Sequence, residues 1–230
     1  MQSPQKDVLL SLQGVGVSYR KDLRLLRPER QDVLQDVSFD LHAGECLGVL
    51  GRNGAGKSTM MKLLANIISP DQGRVVRRVD RVQLLSLQVG FMPHLSGRQN
   101  AIMAGMLLGL RKREIEARMD SIIAFSELGE KIDEPIRNYS SGMRARLGFA
   151  ISIQSDPEVL LIDEVLGVGN ASFAPRARQI ILDRIEANET VVIVSHFDQL
   201  LRGLCSRVAW IDEGRLRMLG EPAAVIDTYR

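Results

Sequence analysis

Short apolar runs alternating with stretches of helical spacing set the pattern of this chain. Val8 to Val17 reads as a strand, and Val33 to Leu41 alternates apolar and polar positions as a second strand does. Glu45 to Leu50 is a short buried strand that ends in glycine. From Lys57 to about Ile68 the spacing becomes helical, until the turn cluster Ser69-Pro70-Asp71-Gln72-Gly73 stops it. Val159 to Ile162 and Val191 to Val194 are continuous apolar runs, as expected of parallel strands covered on both faces. Glu213-Gly214 marks a turn between a strand around Val208 to Ile211 and a final short one. The alternation predicts an α/β fold on the doubly wound plan.

Between about Pro93 and Ser155 the pattern changes. Ala101 to Leu110, Glu114 to Phe125 and Ser141 to Ile153 carry helical spacing without a clear strand. Ile115, Met119, Ile122 and Ile123 fall on one face of the second of these. The expectation is a helical subdomain at about 93–155, inserted into a core at about 1–92 and 156–230. The basic stretch from Arg20 to Arg30 breaks the strand pattern and reads as a solvated loop, or alternatively as a contact for lipid headgroups. There are no internal repeats and no low-complexity tract.

Composition narrows the field without naming an activity. With 230 residues there is room for one domain carrying a subdomain. A net charge of +2 gives no global sign of a nucleic-acid binder. Six Phe, three Tyr and one Trp are few for a protein that grips bases or sugars by stacking. The longest stretch free of Asp, Glu, Lys and Arg, Val82 to Gly97, falls short of the ~20 apolar residues that span a bilayer. No signal peptide is read in MQSPQKDVLL. Cys46 and Cys205 lie far apart in sequence with no CxxC partner, as two free thiols in a reducing cytosol would.

Four motifs carry chemistry. Gly51-Arg52-Asn53-Gly54-Ala55-Gly56-Lys57-Ser58 matches GxxxxGK[ST], between a strand and the helix that continues through Thr59. Its glycines let backbone N–H groups converge on phosphates, and the helix N-terminus adds a positive field. Lys57 can reach the β- and γ-phosphates, and the Ser58 hydroxyl can ligate Mg²⁺. Val159-Leu160-Leu161-Ile162-Asp163-Glu164 places two carboxylates at the end of a strand, Asp163 for Mg²⁺ and Glu164 as general base for an attacking water. A strand ending in a solvated acidic turn is the plainer reading of that run. His196 follows the strand Val191 to Val194, where it can hydrogen-bond a γ-phosphate and sense its loss, or serve structure alone. Tyr139-Ser140-Ser141-Gly142-Met143 opens a helix with serines and a glycine, another anion-binding N-terminus or simply a capped helix.

Phosphate loop, pentapeptide, acidic strand end and histidine occur here in the order found in the ATP-binding subunits of ABC transporters, which the sequence resembles over nearly its whole length. The resemblance implies a P-loop NTPase (RecA-like) core with an antiparallel β edge and an inserted helical subdomain, acting as a single nucleotide-binding domain. It implies that YSSGM stands where LSGGQ is common, so that Ser140, Ser141 and Gly142 contact the γ-phosphate of ATP held by a partner subunit. Tyr19 then looks like the aromatic that stacks on adenine, although a plain strand-end aromatic remains a reading. Gly90 to Asn100, Asn138 to Ala150, Asp163 to Phe173 and the ending LGEPAAVIDTYR are similar to one subfamily, the ATPases of polysaccharide exporters for O-antigen, capsule and teichoic acid.

That subfamily implies ATP and Mg²⁺ as ligands, a head-to-tail homodimer and a separate integral membrane permease. A lipid-linked glycan is moved by the permease, nucleic acid plays no part, and the location is peripheral, on the cytoplasmic face of the inner membrane. A groove around Gln88 to Leu110 is where the permease's coupling helix is expected to dock. Three departures stand out. The glutamine that commonly touches Mg²⁺ aligns near Ser86, so Gln88 is nominated, with an ordinary loop amide as the alternative. Asn170 replaces the usual aspartate after the acidic strand, and no residues are left for an appended carbohydrate-binding β-domain. A soluble ABC ATPase of repair or assembly, and an exporter of a lipid or drug, remain alternatives. A P-loop GTPase lacks its NKxD motif here, and neither it nor a small-molecule kinase explains Tyr139 to Met143.

Overall fold

The computed structural model of the chain describes residues 7–21, 29–85, 90–163 and 173–230. Its strands are β1 (Val8–Lys21), β2 (Glu29–His42), β3 (Cys46–Leu50), β4 (Gln72–Arg77), β5 (Val82–Leu85), β6 (Val159–Asp163), β7 (Thr190–Val194), β8 (Arg207–Asp212) and β9 (Arg215–Gly220). The helices are α1 (Lys57–Leu64), α2 (Gly97–Leu107), α3 (Lys112–Ala117), α4 (Met119–Ser126), α5 (Ser141–Ser152), α6 (Phe173–Glu186), α7 (Asp198–Leu204) and α8 (Pro222–Tyr229).

The strands form two sheets, ordered β2-β1-β4 and β5-β6-β7-β3-β8-β9. In the larger sheet β3 runs parallel to both neighbours, with Val49 opposite Val194 of β7 and Ala209 of β8. Every residue of β3 and β7 is buried, which explains why both read as unbroken apolar runs. The smaller sheet is antiparallel throughout, β1 pairing with β2 on one side and β4 on the other. This is the predicted α/β architecture with an antiparallel edge.

The chain divides into two compact units. One comprises Met1–Leu84, Glu158–Glu164 and Leu182–Arg230; the other comprises Leu85–Pro157 and Val165–Ile181. In the first, Met60, Met61, Leu63 and Leu64 of α1 and the apolar residues of β3, β6 and β7 make a core with side chains at or near zero exposure. In the second, Phe173 packs edge-on against Phe125 and Phe149, ring centroids 5.3 and 5.5 Å apart.

Local rules account for the places where the observed elements depart from the sequence pattern. Helix α1 stops at Leu64, four residues before Ile68, because Asn66 adopts φ 58°. Its N–H donates to Leu63 O at 3.0 Å and that of Ile67 to Lys62 O at 2.9 Å, the paired bonds of a Schellman turn. The helix expected over Glu114 to Phe125 is two helices, broken at Arg118 (φ −99°, ψ 2°). Because only one residue leaves helical geometry, Ile115, Met119 and Ile122 stay buried together. The basic stretch enters the ladder at both ends, Arg20 pairing with Arg30 and Lys21 with Glu29, rather than starting as a loop after Tyr19. Residues 22–28 lie outside the described set. Strand β4 escapes the pattern because it is an edge strand, half-exposed and rich in arginine.

The two cysteines, distant in sequence, meet in the core with their Sγ atoms 3.5 Å apart, both thiols free. The contact with Cys46, together with burial, pushes the Cys205 thiol well above its ordinary range. In the second unit the fully buried Asn100 brackets the start of α2. Its Oδ1 accepts the Met92 N–H at 2.7 Å, and its Nδ2 donates to Met92 O, Leu95 O and Ser96 O at 2.9 to 3.1 Å. Ser96 caps that helix reciprocally with Gln99.

Candidate functional site

The loop from Gly51 to Gly56 leaves the carboxyl end of an interior strand and turns directly into α1, which sets a helix N-terminus at the end of the loop. Gly51 is required sterically. A Cβ there would lie 2.1 Å from Ile211 O of β8. Lys57, only 7% exposed, folds back over the loop, its Nζ donating to Gly51 O at 2.7 Å and Arg52 O at 3.0 Å. The loop is closed further by Ala55 N–H donating to Arg52 O at 3.2 Å.

A cleft of about 580 Å³ opens over this loop, lined by Tyr19, Val33, Asn53, Gly54, Gly56, Lys57, Ser58, Thr59 and Asp163. The parallel register explains how Asp163 arrives there. It pairs with Val194 of β7, which pairs with Val49 of β3, so the acidic strand end and the loop emerge at the same edge of the sheet. Tyr19 reaches the cleft from β1 and is 42% exposed, an aromatic face left open. Ser58 is exposed and Thr59 buried. The Ser58 hydroxyl and the Asp163 carboxylate, both lining this cleft, are oxygen donors of the kind Mg²⁺ takes when water and phosphate complete its shell.

Not every residue singled out in the sequence lines the cleft. Gly51, Arg52 and Ala55 contribute backbone to the loop but are not on its wall. His196 follows β7 at an exposed position, two residues beyond Val194, and is not among the described lining residues. Glu164, Gln88 and Asn170 lie outside the described residues.

The pentapeptide is placed in the second unit. Ser140 caps α5, its Oγ accepting the Met143 N–H at 3.1 Å, while Ser140 and Ser141 are exposed. At Gly142 a Cβ would meet nothing closer than 3.8 Å, so the surface there is open. Tyr139 belongs to the core instead. It is 3% exposed, its hydroxyl donates to Lys131 O, and burial with the nearby charges of Glu134 and Asp133 pushes its pKa up to about 12.

Two residues of the site carry no motif. Val33 forms part of the cleft wall beside Tyr19, and in the sequence it is one apolar position among several. Gly214, at the tip of the β8–β9 hairpin, donates its N–H to Ala55 O at 3.1 Å and accepts the Gln35 N–H at 2.8 Å. It thereby ties the loop to the small sheet. Its φ of 75° and the Val33 carbonyl 2.5 Å from where its Cβ would lie fit glycine alone. The Glu213-Gly214 pair announces a turn, but its role in holding the loop follows only from the fold.

Comparison with known proteins agrees with this geometry. Residues 34–167 match the ABC transporter family. The O-antigen export system ATP-binding protein RfbB of Klebsiella pneumoniae is 44% identical over 211 residues, covering 92% of this chain and 86% of that protein. The teichoic acids export ATP-binding protein TagH of Lactococcus lactis is 39% identical over 196 residues, 85% of this chain but 42% of that one. Among solved structures, the dimeric post-hydrolysis ATP-binding cassette MJ0796 bound to ADP and Pi superposes with a TM-score of 0.75 at 20% identity, over 93% of this chain and 99% of that one. A phosphate loop closed by its own lysine at the edge of a parallel sheet, read with these relatives, makes the chain a member of the ABC transporter family and one of its ATP-hydrolysing subunits.

Proposed function

We propose that this chain powers the export of a lipid-linked polysaccharide, of the O-antigen, capsule or teichoic-acid type, through a separate membrane permease. The observation that carries the reading is the 44% identity to an O-antigen export ATP-binding protein across 92% of the chain, joined to the phosphate-loop cleft. The chain is a single nucleotide-binding domain whose helical part, at about 93–155, carries the pentapeptide. Two copies meet head to tail around two ATP molecules, each supplying Ser140, Ser141 and Gly142 to the nucleotide held by the other. Nucleic acid has no role.

Within one copy the division of labour follows from residue chemistry. Tyr19 offers a ring face to adenine, and the loop from Gly51 to Gly56 with Ser58 and Thr59 surrounds the phosphates. Lys57 balances charge at the β- and γ-oxygens, a contribution that in a shielded cleft is worth more than in water. Mg²⁺ would be held by Ser58 and Asp163, with Gln88 nominated for the same shell, and it supplies charge neutralisation and orientation of the phosphates. Glu164 takes a proton from the attacking water as the Pγ–O bond to water forms and the bond to the ADP leaving oxygen breaks. His196 hydrogen-bonds the γ-phosphate before hydrolysis and loses that partner afterwards.

The permease docks on the second unit. An apolar groove of about 540 Å³ there is lined by Gln99, Ile102, Met103, Met106, Leu107 and Lys112. Met106 and Leu107 are 52% and 64% exposed, and methionine side chains adapt readily to a helix laid against them. No helix among the described residues is long and apolar enough to cross a membrane. On the reading proposed here, the subunit attaches peripherally, through the permease, at the cytoplasmic face of the inner membrane.

Deletion of the gene in its native host tests the reading. Lipid-linked glycan is expected to accumulate inside the cell and to reach the surface again when the wild-type chain, but not Lys57→Ala, is restored. Normal surface glycan in the deletion strain overturns the assignment.

A further inference from the structure

Helix α7 begins two residues after His196 and has little of its own to hold it. It is seven residues long, has no side-chain cap at its N-terminus, and buries a single residue, Leu201, packed over Gly48 of β3. A helix of this length is unstable by itself in water, so neighbours must fix its direction. Those neighbours lie on α8. Arg230 donates through Nε and a terminal nitrogen to Asp198 Oδ2, at 2.9 and 2.7 Å. One turn further along α7, Arg202 pairs with Asp227.

The two pairs form antiparallel rungs, one at each end of the short helix, and on α7 the acid, Asp198, stands at the start and the base, Arg202, near the end, as the helix dipole favours. Helix α8 is the firmer partner. Val225 and Ile226 are fully buried, Glu221 caps its N-terminus, and Tyr229 meets Trp210 of β8 edge-on at 5.6 Å. On the other side of His196, Ser195 Oγ accepts the Phe197 N–H at 3.0 Å and the Ser195 N–H donates to Val49 O of β3. The histidine thus sits on a turn held at one end by the central sheet and at the other by α7.

We propose that the Asp198–Arg230 and Arg202–Asp227 rungs position His196 for ATP turnover, which makes Arg202 and Arg230 positioning residues although both lie outside the cleft. The inference rests on the role given to His196 above. The C-terminal helix thereby reports to the nucleotide site, since any movement of α8 across β8 is passed through two charged rungs to the residue that contacts the γ-phosphate.

The test uses the purified full chain carrying Arg202→Ala and Arg230→Ala together, with His196→Ala measured beside it. Amides of residues 196–204 are expected to exchange about tenfold faster while those of β3 and β7 keep their protection. The kcat is expected to fall about tenfold with KM for ATP within about twofold, because the phosphate loop is untouched. Lysine at both positions restores most of the loss. Unchanged exchange, or unchanged kcat where His196→Ala is inactive, overturns the inference. If His196→Ala itself turns over normally, the reading of the histidine fails first and the inference falls with it. Trp210, the only tryptophan, reports whether α8 stays seated. Should its emission shift in the double variant, Asp198→Asn, which leaves α8 unaltered, decides by the same exchange and kcat criteria.

Discussion

The ammonium of Lys57 and the carbonyl of Gly51 are 2.7 Å apart, so the first residue of α1 is hydrogen-bonded to the first residue of the loop that precedes it. The bond bends the lysine back across the loop, with the Arg52 carbonyl as a second acceptor at 3.0 Å. A cation held against backbone dipoles in the lining of the cleft is already oriented before an anion arrives, which lowers the ordering cost of binding.

Replacing that cation gives the first prediction. Lys57→Ala is expected to weaken ATP binding at least about tenfold, the loss of one charge-assisted contact. Titration with a fluorescent ATP analogue measures it, and unchanged affinity removes Lys57 from the cradle.

At Gly51 the constraint is steric. Gly51→Ala sets a methyl against Ile211 O, 2.1 Å away, and the strand or the loop has to move. The expected cost is about 2–3 kcal/mol in chemical denaturation, with ATP binding lost in parallel. Wild-type stability for this variant contradicts the tight packing of β3 against β8.

Glu164→Gln keeps shape and removes the base. Turnover is expected to drop by at least about 100-fold while ATP still binds and the chain elutes as a dimer in its presence. Hydrolysis near the wild-type rate assigns proton removal to another group.

Acid stability is expected to depend on Glu158, whose carboxylate accepts the N–H groups of Arg81 and Asp80 at 2.9 Å. These bonds hold its pKa below the ordinary glutamate value. A carboxylate lowered in the folded state stabilises the fold above its unfolded pKa, and that contribution disappears as pH falls through the folded one. Glu158 is exposed, so solvent screens the effect and a melting shift of about 1–2 °C at pH 7 is expected for Glu158→Gln. The difference from wild type should close below the usual glutamate range. A gap that stays constant down to pH 3 contradicts the assignment.

Much of the site was legible because its chemistry is written in contiguous residues. The phosphate loop and the strand ending at Asp163 each combine local pattern with a strand–loop context, and parallel pairing then brings them to one sheet edge. Tyr19 was legible only through family resemblance, since its approach to the cleft depends on the pairing of β1 with β2. The place of Val33 in the wall was not legible, and of Gly214 only the turn was. Their parts come from non-local contacts: the wall beside Tyr19 and the hairpin tip bonded to Ala55. The same limit applies to Cys46 and Cys205, which sequence spacing separates and the core joins. The single helix read over Glu114 to Phe125 had the right face and the wrong continuity, because periodicity survives a one-residue break.

The amide of Asn100 bonds only to backbone atoms of Met92, Leu95 and Ser96. A loop whose path is fixed through its main chain does not need particular side chains to keep that path. Pro93, His94 and Leu95 are thus released from the task of shaping the loop, and natural variation can concentrate there. One buried asparagine turns the stretch ahead of α2 into a fixed frame with interchangeable surface, a place where the sequence can change without renegotiating the fold.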